Sequence, residues 1–383
     1  MTPAARVQAA IEILDQVQAG TVAERALTNW ARKSRFAGSK DRAAIRDHVF
    51  DALRQRNSAG FLGGGSDGRA LMLGVLRAKG ETLEEVFSGA AYAPAALQAG
   101  EAIAPEGETP LDLPDWLIDP LQESLGAAFE RTAEGMRHRA PIVLRVNLAK
   151  TSVTQAQHAL EAEGILSAPM AMVETALEVM EGARRIKQST AFLEGLVELQ
   201  DGASQAMVAA LPLRDGMKVL DYCAGGGGKS LAMAGRVPRA TYFAHDADAN
   251  RMQDIAPRSK RAGAKICLLN APVEAAPFDL VLCDAPCSGS GTWRRTPDAK
   301  WRFTEEALRD LVAVQAEILD AAQALVKKGG ALCYATCSFL RAENTDQIAA
   351  FMQRHPEFTL EWQRSYGFDD GGDGFFGAVL RRA

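Results

Sequence analysis

Val219-Leu220-Asp221-Tyr222-Cys223-Ala224-Gly225-Gly226-Gly227-Gly228-Lys229-Ser230 decides how this chain folds. The apolar run Met217–Asp221 reads as a buried strand ending on an acid, Gly225–Gly228 as a tight loop, and Lys229–Ala234 as the start of a helix. A phosphate-binding P-loop would need a glycine where Cys223 stands, so that template fails. A dinucleotide fingerprint is met only loosely, by Gly225 and Gly227, with its third glycine missing. Any glycine-rich first turn still lets backbone N–H groups approach a ligand at a helix N-terminus. The next strand, Ala240–His245, is followed by Asp246, placed to accept hydrogen bonds from ribose hydroxyls. An adenosine-bearing ligand is implied. Both a dinucleotide and adenosylmethionine contain one, and the loop with Asp246 does not choose between them.

Downstream the same alternation continues. Asn250–Ala262 reads as a helix, Lys265–Leu269 and Phe278–Cys283 as strands, Glu305–Val326 as a long helix, Gly330–Ala335 as a strand and Glu343–His355 as a helix. Strands alternating with helices predict an α/β fold with a doubly wound parallel sheet over 206–383. Upstream, Pro141–Asn147, Ala176–Met180 and Val197–Leu199 read as short strands around a helix at Thr154–Glu163, which predicts a small α+β subdomain over 140–205. Val7, Ala10, Ile11, Leu14 and Val17 mark an amphipathic helix, as do Ile45, Val49, Phe50 and Leu53, and then Leu71, Leu73, Val75 and Leu76. Residues 1–80 therefore read as an all-helical domain. Residues 81–139, rich in Gly, Pro and Glu, read as a connector with short helices, Trp116–Phe129 the clearest.

The length of 383 residues fits two or three domains, with an ordinary hydrophobic fraction of 47%. No apolar stretch approaches a membrane span and the first residues do not resemble a signal peptide, so a cytoplasmic protein without a membrane partner is expected. The net charge of -5 argues against a globally basic nucleic-acid binder. Locally the picture changes: nine Lys/Arg between Arg25 and Arg56 face only Asp41, Asp47 and Asp51, whereas twelve Asp/Glu between Glu81 and Gly135 face Arg131 alone. The first stretch, with Arg42 and Arg46, is a candidate anion-binding face. Arg294, Arg295, Lys300 and Arg302 interleave with Trp293 and Trp301 and form a second candidate surface, for phosphates and bases.

All six cysteines lie beyond residue 220, which in an intracellular protein favours catalysis or a metal over disulfides. The spacing Cys283-x3-Cys287 and Cys333-x3-Cys337 invites zinc, but Cys283 and Cys333 fall inside apolar strands, where a small core residue is the better reading. No metal is expected. Cys287 and Cys337 instead stand just past their strands, beside Asp284, in the crevice where open α/β sheets bind ligands. Cytosine C5 takes a methyl group only once a thiolate adds at C6, with a group at N3 stabilising the charge that develops. Two thiols and an acid suit that chemistry, whereas Asp284-Ala285-Pro286-Cys287 lacks the aromatic an amino-group methyltransferase would carry.

These motifs resemble, in order, those of the RsmB/Sun (also Nop) family of RNA cytosine-5 methyltransferases. Leu220–Lys229 is similar to the family's adenosylmethionine loop, Asp284–Gly289 and Ala335–Ser338 to its two cysteine motifs, and Gly291–Asp298 to its substrate-side loop. Arg145-Val146-Asn147 and Gln200-Asp201-x-x-Ser204-Gln205 are similar to motifs ahead of the sheet. The resemblance implies a Rossmann-like methyltransferase domain, S-adenosyl-L-methionine as cofactor, Cys337 as nucleophile, Cys287 as the group that assists release, and Asp284 as the cytosine-orienting acid. It implies Cys223, Ala224, Gly225, Gly226, Gly227, Gly228 and Lys229, with Asp246 and Asp284, as the cofactor shell. The N-terminal helices with Ser39-Lys40-Asp41-Arg42 resemble the family's NusB-like RNA-binding domain, which implies small-subunit ribosomal RNA as substrate; no oligomeric partner is identified, and a monomer is expected. The family's usual loop proline is replaced at Gly225 or Gly226, and Asn270 stands where a cofactor-site aspartate is common. A tRNA-directed enzyme, a non-catalytic ribosome-assembly factor and, more distantly, a nicotinamide oxidoreductase are the rival readings.

Overall fold

A computed structural model describes all 383 residues, Met1–Ala383, in two compact units. One unit holds Met1–Gln122, Gly126–Arg139 and Trp293–Phe303, and the other holds Glu123–Leu125, Ala140–Thr292 and Thr304–Ala383. No helix is long and apolar enough to cross a membrane.

The first unit is helical. Its helices at Pro3–Gln18, Ser39–Arg54 and Gly68–Ala78 bury the apolar stripes expected of them: Val7, Ala10, Ile11 and Leu14, then Ile45, Val49, Phe50 and Leu53, then Leu71, Leu73, Val75 and Leu76. Thr2 caps the first helix through Ala5 N, and Asp67 caps the third through Ala70 N. Helices at Ala23–Lys33 and Arg56–Gly63 complete it; the basic composition of the former hid its period.

Residue 80 is not a boundary. The acidic stretch to Arg139 belongs to the same unit, where Phe87, Leu113 and Leu117 are buried and Asp112 accepts from Asn57 N at 2.9 Å and Ser58 Oγ at 2.7 Å. Its charge is therefore partly internal pairing rather than a solvated spacer.

The second unit contains two sheets. Strands β1 (Val143–Val146), β2 (Ser167–Pro169), β3 (Ala176–Val179) and β4 (Val197–Leu199) form an antiparallel sheet in the order β2-β3-β1-β4. It has one strand more than the sequence suggested; β2 is three residues long and ends in Pro169, which suits an edge.

The large sheet comprises β5 (Lys218–Asp221), β6 (Thr241–Ala244), β7 (Ile266–Leu268), β8 (Phe278–Asp284), β9 (Val326–Thr336), β10 (Phe358–Tyr366) and β11 (Phe375–Arg382). Its order is β10-β11-β9-β8-β5-β6-β7. Strands β5 to β9 pair in parallel, while β11 and β10 add an antiparallel hairpin beside β9. That hairpin is added to the doubly wound parallel sheet expected from the sequence.

Chain order reverses between β5 and β8, since β6 and β7 lie on one side of β5 and β8 and β9 on the other. At such a switch point the loops after neighbouring strands diverge and leave a crevice. Asp221 and the glycine loop follow β5, Asp246 follows β6, Asp284 closes β8 with Cys287 just beyond, and Cys337 follows β9.

Candidate active site

The glycine loop is held from three directions. Gly225 and Gly227 adopt the left-handed conformation, φ +47° and +76°, and a Cβ on Gly227 would stand 2.9 Å from the Ile255 side chain. Glycine is required there by both backbone and space. Asp246 accepts the Gly225 N–H at 2.9 Å and the Asp248 N–H at 3.0 Å, and Arg251 pairs with it at 3.2 Å. From the small sheet, buried Arg145 donates to Gly228 O at 2.9 Å and to Gln200, and Asn147 donates to Ala262 O at 2.9 Å. Burial pulls the Arg145 guanidinium down to about 10. Gln205, in turn, donates to Gln200 O at 2.9 Å. The two motifs ahead of the sheet are therefore the loop's support.

Asp221, at the root of the loop, is almost fully buried. Its Oδ2 accepts from Ser230 Oγ at 2.6 Å, while Oδ1 has no hydrogen-bond partner. Burial raises its carboxyl to about 7, against the opposing Ser230 bond. The loop, the ribose-type acid Asp246 and this open buried acceptor suit an adenosine-bearing ligand with cationic groups. Cys223 contributes no reactive thiol: burial, then the carboxylates of Asp221, Asp284 and Asp246, push it up. His245 is structural, its Nδ1 lying 3.0 Å from Leu269 O. Asn270 is exposed just past β7.

The crevice floor is made by the ends of β8 and β9. Cys287 Sγ and Cys337 Sγ lie 3.4 Å apart, within hydrogen-bond reach for sulfur. Beside them Lys229 Nζ meets Asp284 Oδ2 at 2.6 Å and sits 4.8 Å from the centre of the Phe375 ring. Burial alone would lower the Lys229 ammonium, but the Asp284 carboxylate outweighs it and the pKa is raised. The two thiols diverge. The bond with Cys287 pulls Cys337 below its ordinary value, helped by Lys229 against burial and Asp284, whereas the same bond and burial drive Cys287 far up. Cys283 and Cys333 are fully buried with raised thiols, as core residues should be. No group of His, Cys, Asp or Glu is arranged to hold a metal ion.

Sequence reasoning missed a carboxylate beneath the cysteines. Glu343, fully buried, accepts from Ser288 N at 2.8 Å, Ser288 Oγ at 2.5 Å, Gln315 Nε2 at 3.0 Å and Ser338 Oγ. Only the short spacing from Cys337 could have pointed to it.

Two members of the basic run after Cys287, Arg294 and Lys300, are buried rather than on the surface expected of them, while Arg302 is exposed. Trp293–Phe303 belongs to the helical unit. Lys300, 1% exposed, donates to Asp112 O and lies 3.4 Å from Arg54 O, and burial lowers its ammonium to about 8. Arg294 is buried too, and its carbonyl accepts from Arg54 Nε at 2.7 Å. Trp301 Nε1 donates to Leu53 O at 2.6 Å. Lys300 therefore braces the helical unit by donating to buried carbonyls, and Arg294 does so by offering its own carbonyl to Arg54. Arg295 is half-buried. Of the other two expected RNA contacts, Arg46 is exposed but paired with Glu24, and Arg42 donates to Ala37 O at 3.0 Å.

Residues 208–378 match the family described as 16S rRNA methyltransferase RsmB/F, and residues 113–184 match the ferredoxin-like domain described for RsmF/B-like methyltransferases. The Citrobacter koseri protein named ribosomal RNA small subunit methyltransferase B is 36% identical over 283 residues, 70% of this chain and 66% of that protein. The chain belongs to the RsmB/F methyltransferase family. The Vibrio cholerae protein of the same name is 34% identical over 283 residues, 70% of this chain and 65% of that protein. The match thus spans just under two thirds of these relatives' length.

Among solved structures, PH0851 superposes with TM-score 0.79 at 24% identity, covering 100% of this chain and 99% of that one. NSun6 from Pyrococcus horikoshii, solved with SFG, gives TM-score 0.63 at 17% identity, covering 70% of this chain and 98% of that one. These likenesses support the fold: a helical N-terminal region joined to a Rossmann-like methyltransferase body.

Proposed function

We propose that this RsmB/F-family chain uses S-adenosyl-L-methionine to methylate C5 of a cytosine in small-subunit ribosomal RNA. The observation that carries the reading is the sulfur pair at 3.4 Å beside the Lys229–Asp284 ion pair, at the switch point of a methyltransferase sheet. The names of the relatives support the ribosomal RNA target.

The cofactor, when bound, supplies an electrophilic methyl group. Cys223–Lys229, Asp246 and Asp221 would hold it, with the loop's glycines giving close backbone approach and the acids facing its hydroxyls and cationic groups. The chain's own residues do the rest. Cys337 adds as thiolate to cytosine C6, which places electron density on C5. Asp284, steered by Lys229, faces N3 and the exocyclic amine, where charge changes during addition. After methylation at C5 a base takes the C5 proton, the electrons of that C–H bond re-form the C5–C6 double bond, and the Cys337–C6 bond breaks with the sulfur leaving as thiolate, a departure Cys287 assists by donating its proton to that sulfur. A target base in a helix would have to leave its stack to reach the crevice.

The helical unit, with the NusB-like role its sequence implies, would grip the RNA. Arg32, Lys33, Arg35 and Lys40 are exposed and carry no ion pair, and Phe36 and Tyr92 are 77% and 85% exposed. Unpaired cations with open aromatic rings suit a flexible phosphate backbone and its bases. Incubation with labelled cofactor and ribosomal RNA, followed by bisulfite sequencing, tests the proposal. 5-Methylcytosine in small-subunit RNA is the expected product. Label confined to tRNA would move the target, and none in any RNA would refute the reading.

A further inference from the structure

The cysteines' geometry is set from below. Ser288 follows Cys287 in the loop after β8, and Ser338 follows Cys337 in the loop after β9. The β8–β9 ladder sets the spacing only as far as Asp284 and Ala335, with Ala285 N donating to Ala335 O at 3.0 Å, and both loops leave it before the cysteines. Glu343 reaches both at once: Oε1 accepts from Ser288 N and Gln315 Nε2, and Oε2 accepts from Ser288 Oγ and Ser338 Oγ. An ionised carboxylate is acceptor-only with about four lone-pair sites, and four donors converge on it here. Gln315 also donates to Pro286 O at 2.9 Å, gripping the Cys287 loop from its other side.

Asn344, the next residue, frames Cys337. It accepts from Thr336 Oγ1 at 2.5 Å and donates to Ser338 O at 2.9 Å. The two loops also touch through Gly291 N to Cys337 O at 3.0 Å and Ser288 Oγ to Ser338 Oγ at 3.2 Å.

We infer that Glu343 is a positioning residue that latches the Cys287 and Cys337 loops together and so keeps the two sulfurs in register for attack and release. The inference rests on the proposed division of labour between the thiols. A carboxylate under four donors holds the loops more stiffly than the remaining serine contacts do, and misplacement of a reacting group by about 1 Å costs on the order of 10²-fold in rate. Release depends on Cys287 reaching the adduct held on Cys337. Loosening the latch therefore slows release more than attack, and the covalent protein–RNA adduct builds up.

The test uses the full-length enzyme with both cysteines intact. Glu343→Ala is expected to lower kcat about 100-fold while KM for RNA and cofactor stays within about threefold, with adduct accumulating on denaturing gels. Glu343→Gln keeps one acceptor oxygen for Ser288 N and Gln315, so it is expected to recover about a third to a tenth of wild-type kcat with less adduct. If Glu343→Ala does not fold, Glu343→Gln decides alone. A Gln variant with wild-type turnover and no adduct overturns the inference, as does loss of activity without adduct at a lowered melting temperature. Wild-type turnover with loss in Cys337→Ala, measured alongside, separates failure of the latch from failure of the cysteine mechanism.

Discussion

The loop carrying Cys287 and the segment Trp293–Phe303 are a few residues apart, yet they serve opposite ends. The first ends in a crevice with Cys337 and Asp284 within reach, while the second buries Trp293 and Lys300 in the helical unit. A residue just past a parallel strand is placed by topology, because every such strand points its carboxyl end toward the same crevice. A run of cations carries no such instruction. Whether Lys300 meets a phosphate or a buried carbonyl depends on Asp112 and Arg54, far away in sequence.

The sharpest way to break the comparison is at the crevice. Cys337→Ala is expected to lower methyl transfer by at least about 10³-fold, read as label incorporated into ribosomal RNA. Activity within tenfold of wild type would remove Cys337 from the chemistry.

The cation runs should then separate by salt. Replacing Arg35 and Lys40 together with Glu is expected to weaken RNA binding about tenfold or more at low salt and to flatten the dependence of affinity on salt concentration. Lys300→Ala should leave that slope unchanged and lower the melting temperature by several degrees, since it orphans a buried carbonyl. A flattened slope in Lys300→Ala would return it to the RNA surface.

A smaller effect concerns the thiol itself. Lys229→Met removes the cation that lowers Cys337 and leaves the Asp284 charge uncompensated, and both changes raise the thiol. The pH midpoint for alkylation of Cys337 should climb by on the order of one unit. An unchanged midpoint would detach Lys229 from the cysteine pair.

A further effect, on stability rather than activity, lies at the root of the glycine loop. Asp221 holds its proton up to about pH 7 in the folded chain but only to its ordinary 3.8 when unfolded. The folded state binds the extra proton between those values, so ligand-free stability should fall as pH rises from about 4 to 7 and level off above, at up to about 1.4 kcal/mol per pH unit. Asp221→Asn should remove that slope in chemical denaturation. The same slope in both proteins would mean the carboxyl titrates normally.

The sequence made β5, the glycine loop, β8 and β9 legible, because buried parallel strands are continuous apolar runs with turns at known offsets. Cys287, Cys337 and Asp284 followed directly. The β10–β11 hairpin did not, since Gly371, Gly372 and Gly374 crowd its connection and Gly377 interrupts β11, so the stretch reads as loop. The limit of residue 80 failed because the burial of Asp112 depends on Asn57 and Ser58 in the preceding helices. Glu343 was hidden for a related reason. A glutamate before a helix normally faces water, and only two serines brought together from opposite loops make its burial sensible.

The most direct test of the cysteine mechanism is the covalent intermediate. Cys287→Ala, incubated with cofactor and small-subunit RNA, should yield a protein–RNA adduct that survives denaturing electrophoresis and disappears in the Cys287→Ala, Cys337→Ala double variant. An adduct of equal strength in the double variant, or normal turnover by Cys287→Ala with no adduct at all, would contradict it.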